Sequence, residues 1–378
     1  MGRFASLLGA TTLVGSALLA VAACGSKTGL FGPEGQGLLP DGAVPDAPGP
    51  DGQVPCVPGK FDLDLATAQL MFVVDRSGSM AFTLDGRRDQ PRSQWRWSIL
   101  RNALEQTIVG FDQQMQIGAK FYPEPMTEEQ AADSAFSCRT ESGVGIAPKR
   151  GNSSAILGVF DSTEPLGGTP TAEAVRLAAQ FVTTSRAVAR TIVLATDGEP
   201  NCNGNLDENN CLCTNQSGMC VGNPRLRFSC LDDTRTVETI KNVAEGQKIP
   251  VYVIGIGNTF RQEYLNVLEA MAIAGGRPRP QSPRYYSVQT QDEMTNAFET
   301  IRDSVAKCTY LTPSSPVDPD AISVEIDGIT ILRDPTRQNG WDWVDQSFGE
   351  IAFFGTACDR ANGGSAKVRG TVSCEQRD

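Results

Sequence analysis

The sequence predicts an α/β protein with a doubly wound, mostly parallel sheet covered by helices on both faces, followed by a small C-terminal β module. Two observations carry that expectation. Between residues 70 and 306, apolar runs alternate with segments whose apolar residues recur at helical spacing, and strands joined through helices run parallel. After residue 319 the helical spacing stops and period-two alternation replaces it.

The elements follow in order. Leu70-Met71-Phe72-Val73-Val74 is a continuous apolar run, as a strand buried on both faces requires. Trp97, Leu100, Leu104, Ile108 and Phe111 then fall on one face of a helix, and Met115, Ile117, Ala119 and Phe121 alternate as a strand. A helix through Ala172–Val182, a strand at Thr191–Ala195 and a helix through Thr234–Ala244 come next. The series closes with a strand Val251–Ile256, a helix Glu263–Ala274, a short strand Tyr285–Val288 and a helix Glu293–Ala306. The Pro-Ser stretch Thr312-Pro313-Ser314-Ser315-Pro316-Val317-Asp318-Pro319 punctuates the chain. Beyond it, Ile322, Val324 and Ile326 lead to an Asp327-Gly328 turn, Ile329 and Ile331 return as a hairpin, and Glu350–Phe354 and Lys367–Ser373 supply further strands.

Composition narrows the chemistry. Of 378 residues 40% are hydrophobic, enough for a sizeable core, and 33 Lys plus Arg against 44 Asp plus Glu give a net charge of −11. That sign argues against nucleic acid as a partner. Histidine is absent, which excludes Ser-His-Asp and Cys-His nucleophile systems, HExxH zinc sites and His-ligated haem. Any metal site must be built from oxygen or sulfur.

The first residues read as an export signal. Phe4 to Ala23 carries no charge, Arg3 precedes it, and Val21-Ala22-Ala23-Cys24 resembles the lipobox of bacterial lipoproteins. On that reading residues 1–23 are a signal peptide and Cys24 becomes a lipidated N-terminus in the bacterial envelope, at the outer membrane or cell surface; the alternative is a retained membrane helix. Residues 25–55 hold eight glycines and six prolines, a composition suited to a tether (24–55) rather than a core. Ten cysteines remain, an even number that predicts disulfides on an exported chain: Cys56, Cys138, Cys202, Cys211, Cys213, Cys220, Cys230, Cys308, Cys358 and Cys374. A zinc or iron–sulfur site between Cys202 and Cys230 is the competing reading, weakened because only Cys211-Leu212-Cys213 pairs cysteines closely there.

In a doubly wound sheet ligands bind beyond the carboxyl ends of the strands, where the strand order reverses. The first strand runs straight into Asp75-Arg76-Ser77-Gly78-Ser79, and Gly167-Gly168-Thr169-Pro170-Thr171 opens a helix with Thr169 expected as N-cap and Pro170 as the first helical residue. The strand at Thr191–Ala195 ends in Thr196-Asp197-Gly198-Glu199-Pro200. Asp75, Ser77, Ser79, Thr169 and Asp197 are hard oxygen donors that suit Mg²⁺, or another divalent cation such as Mn²⁺ or Ca²⁺, with a position left open for an incoming carboxylate.

At these residues the chain resembles the von Willebrand factor type A (VWA) domain, and the five positions match its metal ion-dependent adhesion site over about residues 60–308. The resemblance implies a six-stranded sheet with one antiparallel edge strand, and Mg²⁺-dependent capture of a protein ligand through an acidic side chain, without catalysis. The main domain is set at 56–311, and the punctuation at 312–319 sets off the β module at 320–378. Two segments, Glu124–Gly143 and Asn201–Asp232, exceed what the fold needs and are expected to stand around the site. In such a domain the approach to the first strand lies near the exit of the last helix, so Cys56 is expected to pair with Cys308, leaving Cys358 and Cys374 to the tail and Cys138 to bridge the two insertions. Two other functions stay open: an envelope scaffold in which the cation only stiffens loops, and a phosphoaspartate hydrolase, disfavoured because Ser77 stands where that chemistry needs a second carboxylate.

The anchor is directly testable. Cys24→Ser is expected to abolish lipid labelling and release the protein from the membrane fraction; equal retention of the variant would favour an uncleaved helix.

Overall fold

The computed structural model describes residues 54–113, 115–182, 188–214, 220–223, 226–257, 261–363 and 366–374. The export segment, Cys24 and the tether up to residue 53 lie outside the described residues.

Strands begin before the first apolar run. β1 (Gly59–Asp62) and β2 (Asp64–Leu65) are short and partly exposed, so no apolar pattern marks them, whereas β3 (Thr67–Asp75) is buried along nearly all its length. α1 (Arg96–Ile108) and β4 (Gln116–Tyr122) follow. The first insertion folds into two short helices, α2 (Glu128–Ala131) and α3 (Ser134–Ser137), capped by the side chains of Thr127 and Asp133. β5 (Ile146–Lys149) and α4 (Ser153–Ser162) escape the spacing rules, since β5 is four residues long and contains Pro148, and the apolar residues of α4 run consecutively.

The remaining alternation is α5 (Thr171–Ala179), β6 (Val188–Thr196), α6 (Asp233–Lys241), β7 (Val251–Ile256), α7 (Gln262–Ala274), β8 (Tyr286–Val288) and α8 (Gln291–Cys308). α5 starts one residue later than expected, with Pro170 at the N-cap position. Thr169 stays outside the helix because its backbone is tied to Asn201: its N–H donates to Asn201 Oδ1 (2.7 Å) and its carbonyl accepts from the Asn201 N–H (2.9 Å).

The main sheet has the order β5-β4-β3-β6-β7-β8, parallel throughout except for the antiparallel edge strand β5. Alternation along β3 decides which helices cover which face. Leu70, Phe72 and Val74 pack with α1, α4 and α8, while Met71 and Val73 pack with α5, α6 and α7. The chain leaves β3 for β4 on one side and returns to β6 on the other, so the order reverses between β3 and β6.

The second module is a two-sheet sandwich completed by β9 (Thr309–Leu311), β10 (Ile322–Ile326), β11 (Ile329–Ile331), β12 (Gly340–Asp345), β13 (Glu350–Phe354), α9 (Thr356–Ala361) and β14 (Val368–Val372). Its sheets are β1-β14-β10-β11 and β12-β13-β9-β2, closing over Val324, Ile326, Trp341, Ile351 and Phe353. The module is therefore not made from residues 320–378 alone, because β1, β2 and β9 flank the main sheet in sequence yet pair with the tail. β12 lacks a strand pattern because buried Asp342 interrupts its apolar residues, held by Arg333 and Arg337 at 3.0 Å each.

This pairing corrects the expected Cys56–Cys308 bond. β1 lies antiparallel to β14, with Gly59 opposite Val372, so Cys56 reaches Cys374 and bonds it. Cys308 ends α8, and β9 leads straight to β13 and α9, so Cys308 bonds Cys358. The other bonds are Cys138–Cys202, Cys211–Cys230 and Cys213–Cys220.

The two modules meet through a buried ion pair between Arg190 of β6 and Asp345 of β12 (3.0 Å), with the Arg190 guanidinium over the Phe348 ring. Arg337 adds bonds to the carbonyls of Gly276 (2.8 Å) and Trp343 (2.9 Å). Glu350 is buried here among Arg190, Arg277 and Asp345; burial pushes its carboxyl from 4.5 up to about 7, against the pull of the two arginines. A raised acid favours the folded state while protonated, so its contribution is present in full below about pH 4.5 and is lost as pH rises through 7. Glu350→Gln is expected to flatten the pH dependence of unfolding between pH 5 and 8, by on the order of 2–3 kcal/mol, read by urea denaturation across that range.

Candidate metal centre

The centre forms where the strand order reverses. β3 and β6 are in parallel register, Val74 opposite Ala195, so Asp75 ends one strand just where Thr196 ends its neighbour. Asp75 is fully buried and fixed at both oxygens: Oδ1 accepts from the Ser77 N–H (2.8 Å) and Oδ2 from the Thr196 hydroxyl (2.7 Å). The first bond curls the chain after β3 and turns Ser77 Oγ toward Ser79 Oγ, 3.1 Å away. The Gly78 N–H then donates to the Gly167 carbonyl (3.0 Å), drawing the Thr169 loop onto the serine turn. Gly167 has φ +89°, a left-handed conformation, and a Cβ there would stand 2.8 Å from the Ser137 carbonyl oxygen, so glycine is required.

Asp197 follows β6 directly. One of its oxygens meets Arg96 Nη1 at 2.7 Å in a buried pair; the other, Oδ1, is buried and meets no hydrogen-bond donor among the described residues. Two further carboxyls feel this charge. Burial first, and the Asp197 carboxylate next, push Asp75 up to about 7 and Glu199 up to about 8. Arg96 and Arg261 offset this crowding only in part. A carboxylate oxygen that meets no donor among the described residues, paired serine hydroxyls and an incompletely balanced acidic cluster together fit a hard divalent cation.

Ser77, Ser79, Thr169 and Glu199 open onto a cleft of about 1010 Å³, walled by both insertions through Ser137 and Ser229. The cysteines of the second insertion are not free to bind metal. Among the described residues Cys211, Cys220 and Cys230 bring their sulfurs within 4.8 Å of one another, but all three are spent in disulfides. Thus the turn after β3 and the Thr169 loop put Ser77, Ser79 and Thr169 on one cleft, while Asp75 and Asp197 are buried at the neighbouring strand ends, Asp75 bonded to the Ser77 N–H. Arg96, Thr196, Glu199 and Asn201 are added by the structure. Glu199 and Thr196 lie inside the segment that carries Asp197, so proximity in sequence flags them. Arg96 and Asn201 carry no local signal, since each acts on a residue far along the chain.

No protein-family model and no curated protein sequence matches this chain. Among solved structures, the PilB minor pilin from Streptococcus sanguinis is similar at 16% identity over 64% of this chain and 62% of that one, with a TM-score of 0.42. The pilus adhesin SpaC from Lactobacillus rhamnosus GG, in its open conformation, is similar at 14% over 83% of this chain and 41% of that one (TM-score 0.42). The vWF domain of the type V pili tip protein Mfa5 from Porphyromonas gingivalis is similar at 11% over 63% and 94% (TM-score 0.41). The chain thus spans less than two thirds of PilB and of SpaC. The six-stranded sheet, its one antiparallel edge and its two helical layers form the arrangement that the motif resemblance implies. The fold is VWA-like.

The Arg96–Asp197 pair yields a prediction about the metal-free protein. Arg96→Gln leaves a buried carboxylate without its cation and is expected to destabilise the fold by roughly 3–5 kcal/mol, measured by urea denaturation in chelator. Unchanged stability would show that solvent already reaches Asp197.

Proposed function

We propose that this chain is a lipid-anchored envelope protein that captures a protein ligand through a divalent cation, Mg²⁺ by the chemistry of its donors. Ser77, Ser79 and Thr169 would hold the ion by their hydroxyls, with Asp75 and Asp197 as the balancing carboxylates. The ion would supply Lewis acidity and an open coordination position for an acidic side chain of the partner. The observation that carries this reading is the buried Asp197 oxygen that meets no hydrogen-bond donor among the described residues, two residues before Glu199, which lines one cleft together with Ser77, Ser79 and Thr169. The chain's own residues do the positioning. Asp75 orients the serine turn through its bond from the Ser77 N–H, and Thr196 fixes the Asp75 carboxylate in turn. The two insertions restrict what reaches the ion.

A second reading has one observation in its favour. Arg96 already places a cation on Asp197, as it would in a surface scaffold whose site works without capture.

Titration of Mg²⁺ by calorimetry into wild type and Asp75→Ala, with capture from envelope extract in Mg²⁺ or chelator, separates the two. Asp75→Ala is expected to lower Mg²⁺ affinity by roughly 10–100-fold or more and to abolish capture, and Thr169→Ala to weaken capture more than metal binding. Equal Mg²⁺ affinity in wild type and Asp75→Ala, or capture undiminished in chelator, would favour the scaffold.

A further inference from the structure

Thr169 is the one hydroxyl donor that belongs to neither sheet turn, and its loop is held by groups next to a single disulfide. The residues just before the two cysteines bracket it. Ser137, before Cys138, accepts the Gly168 N–H at its carbonyl (2.8 Å). Asn201, before Cys202, accepts the Thr169 N–H at Oδ1 (2.7 Å) and donates its own N–H to the Thr169 carbonyl (2.9 Å). The Asn201 amide is itself oriented by Thr214, whose hydroxyl accepts from Nδ2 (3.0 Å). Gly168 lies against the disulfide so closely that a Cβ there would stand 2.7 Å from Cys202 Sγ and 3.3 Å from Cys138 Sγ. Cys202 also adopts φ +74°, unfavourable for a residue with a side chain, and its N–H is tied to the Phe228 carbonyl (2.7 Å). The other two disulfides of the insertion, Cys211–Cys230 and Cys213–Cys220, cluster with each other instead.

We propose that Cys138–Cys202 is a positioning pair for the binding site: it clamps Ser137 and Asn201 on either side of the Gly168-Thr169 backbone and thereby sets where the Thr169 hydroxyl stands relative to Ser77 and Ser79. The inference rests on the reading of Thr169 as a cation ligand. The consequence is that the two insertions do more than wall the cleft, because the bond joining them controls one third of the hydroxyl donor set.

Hydrogen exchange of the full chain, read by mass spectrometry with and without Mg²⁺ over peptides covering 75–80 and 166–171, tests it. In wild type Mg²⁺ is expected to slow exchange over both segments; slowing of neither would overturn the metal reading beneath the proposal. In Cys138→Ala/Cys202→Ala, exchange at 166–171 is expected to rise about tenfold and to lose its response to Mg²⁺, while 75–80 keeps its response. Cys213→Ala/Cys220→Ala is expected to behave as wild type over 166–171. If the first double variant keeps wild-type Mg²⁺ protection at 166–171, the clamp is refuted although the metal site stands. Should that variant lose protection in β3 and β6 as well, Asn201→Ala and Gly168→Ala decide with the disulfide intact. Loss of the Mg²⁺ response at 166–171 in these variants supports the clamp, and wild-type response in both overturns it.

Discussion

The candidate site depends on the parallel register of β3 against β6. Because Val74 stands opposite Ala195, both strands stop at the same level and the Thr196 hydroxyl meets Asp75 Oδ2 at 2.7 Å. A slip of one residue would invert which side chains face each helical layer and would carry Asp75 away from Thr196 and Asp197 together. The apolar alternation of β3, Leu70, Phe72 and Val74 to one side and Met71 and Val73 to the other, opposes that slip with two separate cores. Thus the hydrophobic packing of the sheet interior sets the positions of polar atoms at its edge.

That edge concentrates negative charge where water is scarce. Asp75 and Asp197 are buried, Glu199 lies beside them, and the shared repulsion and desolvation raise Asp75 and Glu199. Arg96 offsets part of this from α1. A fold that needed only stability would gain little from such a cluster, since buried ion pairs contribute little net stability compared with apolar packing.

The rest of the molecule braces this arrangement from two directions. At the far end of β6, Arg190 pins the main sheet to Asp345 of the sandwich, and the strands of that sandwich are drawn from both sides of the VWA-like module. Cys308–Cys358 links the end of α8 to α9 of the sandwich covalently, and Cys56–Cys374 closes the sandwich itself. At the carboxyl ends of the strands, Cys138–Cys202 joins the two insertions beside the Thr169 loop.

The sequence by itself determined the main alternation, because a strand buried on both faces and a helix with one apolar face each leave a periodic record in neighbouring residues, as at Leu70–Val74 and Trp97–Phe111. The placement of Asp75, Ser77, Ser79, Thr169 and Asp197 was legible for a related reason: each sits at or just beyond the end of a strand or before a helix, where the residue types needed for turns and caps stand out from the apolar background. Where contacts join residues distant in the chain, no such record exists. Partnership of β1 with β14, and with it Cys56 with Cys374, was decided only when the sandwich assembled. The same holds for Arg96 on Asp197, 101 residues apart, and for Asn201 on Thr169, 32 apart. These bonds depend on the distance between elements after packing, which local periodicity does not encode.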